Sequence, residues 1–145
     1  MHSTQTAILL DEAPTGNARA MNFQYEPIVR MTNTYIEPGE KSVDEMIGSI
    51  SDGIYIKGAR HGMGMSTFTI APAKAYMIKD GKITEPVKVS VISGNVFETL
   101  NLIDEVGNDF VVKSSAFGGC GKMEQSPLPV SDGGPTILVR EMTVS

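Results

Sequence analysis

The dipeptide Asp80-Gly81 constrains the fold most, because it stands between two runs of β-prone residues, 73–79 and 82–92. Asp-Gly at such a position is typical of a two-residue hairpin turn, since glycine readily adopts the positive φ that a type I′ turn imposes. Pro86 indicates that part of the second arm is an edge or a bulge. Apolar and polar residues alternate over 87–91, which predicts a strand with one apolar face.

Further β-prone runs are bounded by glycine, proline and polar residues, which predicts a mostly antiparallel sheet. The predicted strands are residues 7–10, 32–36, 53–56, 66–70, 110–113, 136–140 and 142–144. The glycine-rich run 57–64 is predicted to be a loop. It lacks the Lys-Ser/Thr ending and the following helix of a phosphate-binding loop. His61 in this run is either a ligand or base, or a solvated loop histidine.

Two stretches have the capping signals and apolar spacing of short amphipathic helices. Ser42 and Glu45 have capping-box spacing, which predicts a helix over about 42–51. Asn95 precedes Glu98 by three residues, and an apolar stripe continues from there until Gly107, which predicts a second helix. Together with the strands, these helices predict an α+β, β-rich fold with a mostly antiparallel sheet and two short amphipathic helices.

Composition restricts the domain organisation and the class of partner. The chain has 145 residues and 41% hydrophobic content, which predicts one ordinary core and a single domain over 1–145. It carries 12 basic and 17 acidic residues, and the basic ones are scattered, so direct nucleic-acid binding is not expected. No apolar run approaches the roughly 20 residues of a membrane span, and the N-terminus has no export signal. We therefore expect a soluble, cytoplasmic protein without membrane contact.

Cys120 is the only cysteine and lies among three glycines in the run 118–122, so an intrachain disulfide is excluded. This run lacks a strand or helix period and leads into a polar, proline-punctuated segment, which predicts a loop. A thiol on an uncrowded backbone suits close approach to a metal, a substrate or another chain. The alternative is an inert buried cysteine that packs as a small hydrophobe.

Several short motifs follow one another along the chain. They are PTGNARA at 14–20, PIVRMTNTY at 27–35, EPG at 37–39, AY at 75–76, DGKI at 80–83, PVK at 86–88, CGK at 120–122 and GP at 134–135. In this order they resemble the C-terminal part of the TldD/PmbA family, peptidases once labelled modulators of DNA gyrase. The resemblance covers almost the whole chain from about Pro14 and is closer to the TldD branch.

The resemblance implies a cytoplasmic zinc metallopeptidase, a hydrolase that acts on unfolded or short peptides. In that family zinc is held by two histidines of a His-Glu-x-x-x-His helix and by the cysteine of the Cys-Gly-Lys motif, which Cys120 matches. The histidine helix has no match here, because His2 precedes Ser3 and His61 precedes Gly62. We therefore expect Cys120 to be a zinc ligand only with histidines supplied from outside this chain, which should be inactive alone.

The resemblance also suggests partners. Thr32, Asn33 and Thr34 are candidate peptide-binding residues, because a β-prone, polar-alternating run suits an extended peptide that adds alongside it. The same features suit an ordinary structural strand. Expected partners are a peptide substrate, and the missing N-terminal part or a PmbA-like subunit, in a homo- or hetero-oligomer. The alternative function is a non-catalytic β-rich interaction module or regulatory subunit that makes no use of the thiol.

Overall fold

The structure is a computed structural model that describes residues 3–31 and 33–145, with the main chain alone at 115–118. The chain divides into two compact units. Unit 1 comprises Met1–Ile36 and Val111–Gly134, and unit 2 comprises Glu37–Phe110 and Pro135–Ser145. The prediction of a single domain over 1–145 stays a prediction. No helix in the described part of the chain is long and apolar enough to cross a bilayer.

Strands predominate, and all the pairs between named strands are antiparallel, so the predicted α+β, β-rich class is confirmed. The elements in chain order are α1 Thr4–Leu10, β1 Ala18–Arg19, β2 Ile28–Val29, α2 Val43–Gly48, β3 Asp52–Gly64, β4 Thr67–Lys79, β5 Lys82–Pro86, β6 Ile92–Asn95, α3 Val96–Asn101, β7 Ile103–Val106, β8 Val111–Lys122, β9 Gln125–Gly134, β10 Ile137–Val139 and β11 Thr143–Val144.

Unit 2 is built around β4, which pairs with β3 along one edge. The other edge of β4 is shared: β5 pairs with its C-terminal half and β6 with its N-terminal half. β11 then adds to β6. Ala75, Val89 and Ile92 form the buried cluster, and Ile56, Ile70, Val87 and Met142 pack against it. The burial of these apolar side chains on the sheet stabilises unit 2.

The hairpin between β4 and β5 confirms the prediction from Asp80-Gly81. Lys79 pairs with Lys82, and the two turn residues have φ values of 47° and 73°. Positive φ at both positions is the type I′ geometry. A Cβ at Gly81 would lie 2.8 Å from the main-chain oxygen of Gly48, so glycine is required for space as well as for conformation.

Two neighbouring predictions in unit 2 are wrong. The run 57–64 is not a loop but the outer half of β3, because its main chain pairs with β4 as far as Gly64 opposite Phe68. Residues 87–91 are not a strand. Their predicted alternation of burial nevertheless holds, since Val89 is buried between exposed neighbours. The segment is also held to β4 by a hydrogen bond from Val87 N to Ala75 O at 3.0 Å.

The two predicted helices exist, and both are shorter than predicted. α2 has its capping box, in which Ser42 Oγ accepts from Glu45 N and Glu45 Oε2 accepts from Ser42 N. The Asn95 side chain caps α3 by accepting from the N–H groups of Phe97 and Glu98. The apolar stripe does not continue as helix, because Ile103–Val106 forms β7 and pairs with β10. Cross-strand pairing overrides the helical spacing here.

Unit 1 departs most from the predicted strands. Residues 7–10 lie in α1, a third helix that begins where Ser3 Oγ accepts a hydrogen bond from Thr6 N. Residues 33–36 of the predicted strand 32–36 belong to no strand, and Thr32 lies outside the described residues. The regular sheet of this unit consists of the pair β1–β2 and the hairpin β8–β9.

Candidate functional site

Cys120 lies within β8, directly opposite Leu128 of β9. The prediction of a loop at 118–122 is therefore wrong, because pairing with β9 continues to Lys122 opposite Gln125. The thiol is free and half-buried, whereas Leu128 is buried. Cys120 is thus not one of the fully buried, core-packed residues, and a paired strand holds its main chain.

The guanidinium group of Arg30 contacts the sulfur. Its Nη2 donates to Cys120 Sγ at 3.6 Å and to the main-chain oxygen of Gln125 at 3.2 Å. Arg30 is only 2% exposed, and its Nε and Nη1 atoms are buried without a hydrogen-bond partner among the described residues. A permanently charged side chain is therefore enclosed next to the single cysteine.

A network of buried polar side chains surrounds this contact. Asn17, Arg30 and Gln125 are 4%, 2% and 5% exposed. Gln125 Oε1 accepts from Met21 N at 2.8 Å, and its Nε2 donates to Glu26 O at 2.9 Å. Gln125 therefore ties the hairpin β8–β9 to the loop that precedes β2. Buried amides are stable only when they are hydrogen-bonded in this way.

The main chain that leaves β2 is held at three successive carbonyls, which we name the carbonyl clamp (residues 29–31). Their oxygens accept hydrogen bonds, in order, from Lys122 Nζ, from Asn17 Nδ2 at 3.0 Å and from Arg19 Nη2 at 2.8 Å. Two of these donors carry a positive charge, and Lys122 belongs to the same motif as Cys120. The clamp fixes where the following segment begins.

The predicted peptide-binding segment follows the clamp directly. Thr32 lies outside the described residues, and Asn33 and Thr34 are exposed and in no strand. Arg30 contacts Cys120 and precedes Asn33 by three residues, a span of at most about 11 Å in an extended chain. The segment and the cysteine therefore lie in the same part of unit 1.

The described residues contain no group of three or more His, Cys, Asp or Glu side chains that could hold a metal ion. His61 is exposed on β3 in unit 2, and Cys120 lies in unit 1. The surroundings of Cys120 are compatible with one metal ligand, because an N–H donor beside a metal-bound sulfur is a common outer-shell partner. A complete catalytic site would need further ligands.

Two of the carboxyl groups with a lowered pKa, Asp109 and Asp104, form surface contacts of unit 2. Hydrogen bonds from the Thr136 hydroxyl, and next from its N–H, hold the pKa of Asp109 below its ordinary value. The Arg140 guanidinium donates a hydrogen bond to Asp104 and holds the pKa of that carboxyl low. Both carboxyl groups are exposed, so we interpret these contacts as surface hydrogen bonds that connect loops to strands.

Sequence reasoning missed the residues that surround Cys120. Asn17 and Arg30 belong to the motifs at 14–20 and 27–35, and a charged residue within the apolar run PIVRM is a signal that could have identified Arg30. Gln125 lies in a polar segment that predicts a loop, and nothing in the pattern marks it. Its role follows from contacts with residues about a hundred positions earlier in the chain.

Comparison with known proteins agrees with the motifs. A family model described as the PmbA/TldA metallopeptidase C-terminal domain matches residues 1–145. A metalloprotease from Synechocystis sp. is 46% identical over 145 residues, which cover 99% of this chain and 31% of that protein. A zinc metalloprotease TldD homolog from Saccharolobus solfataricus is 38% identical over 137 residues, covering 93% of this chain and 30% of that protein. The chain thus spans less than a third of the length of these curated relatives.

Solved structures agree on the fold. TldE from Thermococcus kodakarensis matches with a TM-score of 0.69 at 21% identity, over 98% of this chain and 30% of that one. A Thermotoga maritima protein, named as a proposed modulator of a DNA gyrase, matches with a TM-score of 0.69 at 25% identity, over 100% of this chain and 30% of that one. On the family model and the curated relatives, the chain belongs to the PmbA/TldA metallopeptidase family and represents its C-terminal domain.

Proposed function

We propose that this domain is the C-terminal part of a TldD-like zinc metallopeptidase of the cytoplasm that cleaves unfolded or short peptides. In this proposal Cys120 is one zinc ligand, and Thr32, Asn33 and Thr34 form part of the peptide-binding surface. The histidine ligands come from outside this chain, either from an upstream part of the same protein or from a PmbA-like partner subunit. The domain alone is therefore inactive.

The observation that carries the proposal is the contact between Cys120 and the buried guanidinium of Arg30, 3.6 Å from the sulfur, in a family whose relatives are named metalloproteases. An inert core cysteine has no need of a buried cation beside it. A bound zinc ion would polarise the scissile carbonyl and activate water. The sequence has only His2 and His61 and no His-Glu pair, so this chain supplies neither the paired histidines nor their glutamate.

The peptide-binding part of the proposal is supported by position. Asn33 and Thr34 are exposed, and the carbonyl clamp holds the main chain just before them. A segment that is fixed at one end and outside the sheet is suited to align an extended peptide through main-chain hydrogen bonds. Arg30, within the clamp, also contacts Cys120, so a peptide aligned along this segment would run close to the proposed zinc ligand.

The metal role is tested with Cys120→Ala and Cys120→Ser in the full-length protein. Both variants should lose stoichiometric zinc and peptide cleavage, because a catalytic zinc ion with one ligand removed is bound weakly. Ser131→Ala is the matched control, since Ser131 lies on the same hairpin and pairs with the exposed Ser114 hydroxyl. Tight zinc binding that survives both Cys120 substitutions would exclude Cys120 as a ligand.

The peptide-binding role is tested with Asn33→Ala in the full-length protein, with the exposed Gln24→Ala as control. If Asn33 contacts the substrate, kcat/KM for an unstructured peptide should fall about tenfold while the melting temperature stays at the parent value. Gln24→Ala should change neither quantity. Unchanged cleavage by Asn33→Ala, or a loss that only follows unfolding, would contradict a role for this segment in binding.

A further inference from the structure

Arg30 is the only charged residue among the buried side chains of the described part of the chain. Burying an ion costs free energy unless an opposite charge and hydrogen bonds compensate it. The guanidinium has contacts to one sulfur and one main-chain oxygen, and no carboxylate of the described residues forms an ion pair with it. Cys120 is therefore the one described contact that can become an anion.

We propose that Arg30 is a positioning residue for Cys120, and that its guanidinium holds the sulfur in place and balances the negative charge of the metal-bound thiolate. This inference rests on the proposed zinc role of Cys120. It goes beyond that role because it assigns a second residue, on a different segment of the chain, to the state of the ligand.

The first argument is geometric. The main chain of Arg30 is fixed by two hydrogen bonds to Asn17, from Arg30 N to Asn17 O at 3.1 Å and from Asn17 Nδ2 to Arg30 O at 3.0 Å. The far end of the side chain is fixed by Gln125 O at 3.2 Å. Because both ends are held, the remaining contact of Nη2 locates the sulfur relative to the carbonyl clamp.

The second argument is energetic. A guanidinium whose role is only to fill and brace an interior would be expected to use most of its five N–H donors. Here Nε and Nη1 are buried without a partner among the described residues, which makes the group expensive as a brace. An apolar side chain of similar length would fill the same space at lower cost. The benefit of a charge at this position must therefore lie at the sulfur.

The third argument is chemical. Arginine keeps its proton under all ordinary conditions and has no acceptor atom, so the sulfur must be the acceptor in this contact. A cysteine that binds a metal does so as the thiolate. Outer-shell donors to metal ligands orient them and tune the metal, and their loss typically lowers metal affinity or activity 10- to 100-fold.

The experiment compares Arg30→Met, Arg30→Gln and Arg30→Lys in the full-length protein, with Cys120→Ser in parallel. Arg60→Met is the control, because Arg60 Nε also donates to a main-chain oxygen, that of Pro72, at 3.0 Å, but in unit 2. The readouts are zinc affinity by chelator competition, the sulfur-to-cobalt charge-transfer absorption of the Co²⁺ form, and the melting temperature of the metal-free protein.

Arg30→Met should lower zinc affinity about 10- to 100-fold and weaken or shift the charge-transfer band. Arg30→Gln, which keeps a donor but no charge, should show the same loss. If Arg30→Met fails to fold, Arg30→Gln alone tests whether the charge supports zinc binding. Arg30→Lys should recover part of the affinity because it restores the charge, and Arg60→Met should match the parent.

Two results would overturn the inference while leaving the proposed function intact. One is parental zinc affinity and an unchanged band in the folded Arg30 variants while Cys120→Ser loses both. The other is an equal loss in Arg30→Lys and Arg30→Met, which would remove the role of charge. Retention of zinc affinity and of the band by Cys120→Ser would instead overturn the proposed function itself.

Discussion

The two units have interiors of opposite character. The buried residues of unit 2 are predominantly apolar: Met46, Ile47, Pro72, Ala75, Ile78, Val89 and Ile92. Unit 1 contains all the buried polar or charged side chains of the described residues, namely Asn17, Arg30 and Gln125, beside Ala7 and Leu128. Unit 2 is thus held mainly by burial of apolar area, and unit 1 by hydrogen bonds between distant segments.

The two kinds of interior contribute differently to the structure. Apolar burial is non-directional and roughly proportional to area, so it stabilises a sheet without fixing individual atoms. Hydrogen bonds are directional, so a buried network of them constrains where particular atoms lie. The proposed ligand Cys120 and the carbonyl clamp both lie in the unit with the directional interior. The proposed site therefore lies in the unit whose interior constrains the positions of individual atoms.

The largest expected effect tests the apolar interior. Ile78 is 2% exposed on β4, and Ile78→Ala should lower the free energy of unfolding by about 2–5 kcal/mol, through lost burial and the cavity that remains. Ile83 is paired with it on β5 and is 43% exposed, so Ile83→Ala should cost far less. Urea unfolding followed by circular dichroism measures both. Equal losses would mean that burial on β4 does not dominate unit 2.

An intermediate effect tests the polar interior. Gln125→Leu keeps the volume but leaves Met21 N and Glu26 O without their partner, and the loss of these two half-buried hydrogen bonds should cost about 1–3 kcal/mol in total. We expect faster hydrogen exchange at the Met21 amide and a lower free energy of unfolding. Gln24→Leu, on the exposed surface, is the control. A Gln125→Leu protein as stable as the parent would show that unit 1 tolerates an apolar interior after all.

The smallest effect concerns a polar contact at the exposed rim of unit 2. The pKa of Asp109 is lowered from 3.8 in the folded chain, by the hydroxyl and then the N–H of Thr136. A lowered carboxyl pKa contributes stability that is present above the unfolded value and is lost as the pH falls through the folded value.

Asp109→Asn should therefore reduce stability slightly at pH 7. Between about pH 4 and pH 2, the variant should lose less further stability than the parent protein does. Melting temperatures measured across that range for both proteins provide the comparison. Thr136→Val, which removes the hydroxyl contact, should flatten the same part of the profile. If the acid limbs of the parent and both variants coincide, the contact contributes nothing to stability.

The sequence predicted unit 2 better than unit 1, for a physical reason. Turn chemistry at Asp80-Gly81 and the caps at Ser42 and Asn95 are local, so the residues that cause them are neighbours in sequence. The predicted helix through Val106 failed because pairing with β10, a partner distant in sequence, competes with helical spacing. Local signals identify where an element begins more securely than what it pairs with.

In unit 1 the contacts that surround Cys120 join residues that are distant in sequence, such as Arg30 with Cys120 and Gln125 with Met21. The motif around Cys120 was recognised, but its assignment to a loop was wrong because glycines and prolines hid the pairing of β8 with β9. Exposed Asn33 and Thr34 were identified as candidates, whereas the residues that hold their segment were not. A buried network of side chain and main chain leaves no periodic trace, so hydrophobic patterning does not reveal it.

The irregularity in the pairing of β3 with β4 has a consequence for how this family can change in length. The register shifts by one residue between Ala59 and His61, next to the buried Pro72, whose nitrogen has no hydrogen to donate. One extra residue turns every following side chain of a strand to the opposite face of the sheet. Beyond Arg60 the hairpin can therefore gain residues at its tip in matched pairs, two on each arm, while a single insertion would reverse the inward and outward positions. Natural variation in this arm should proceed in even steps, while the base that carries Ala75 and Ile78 keeps its length.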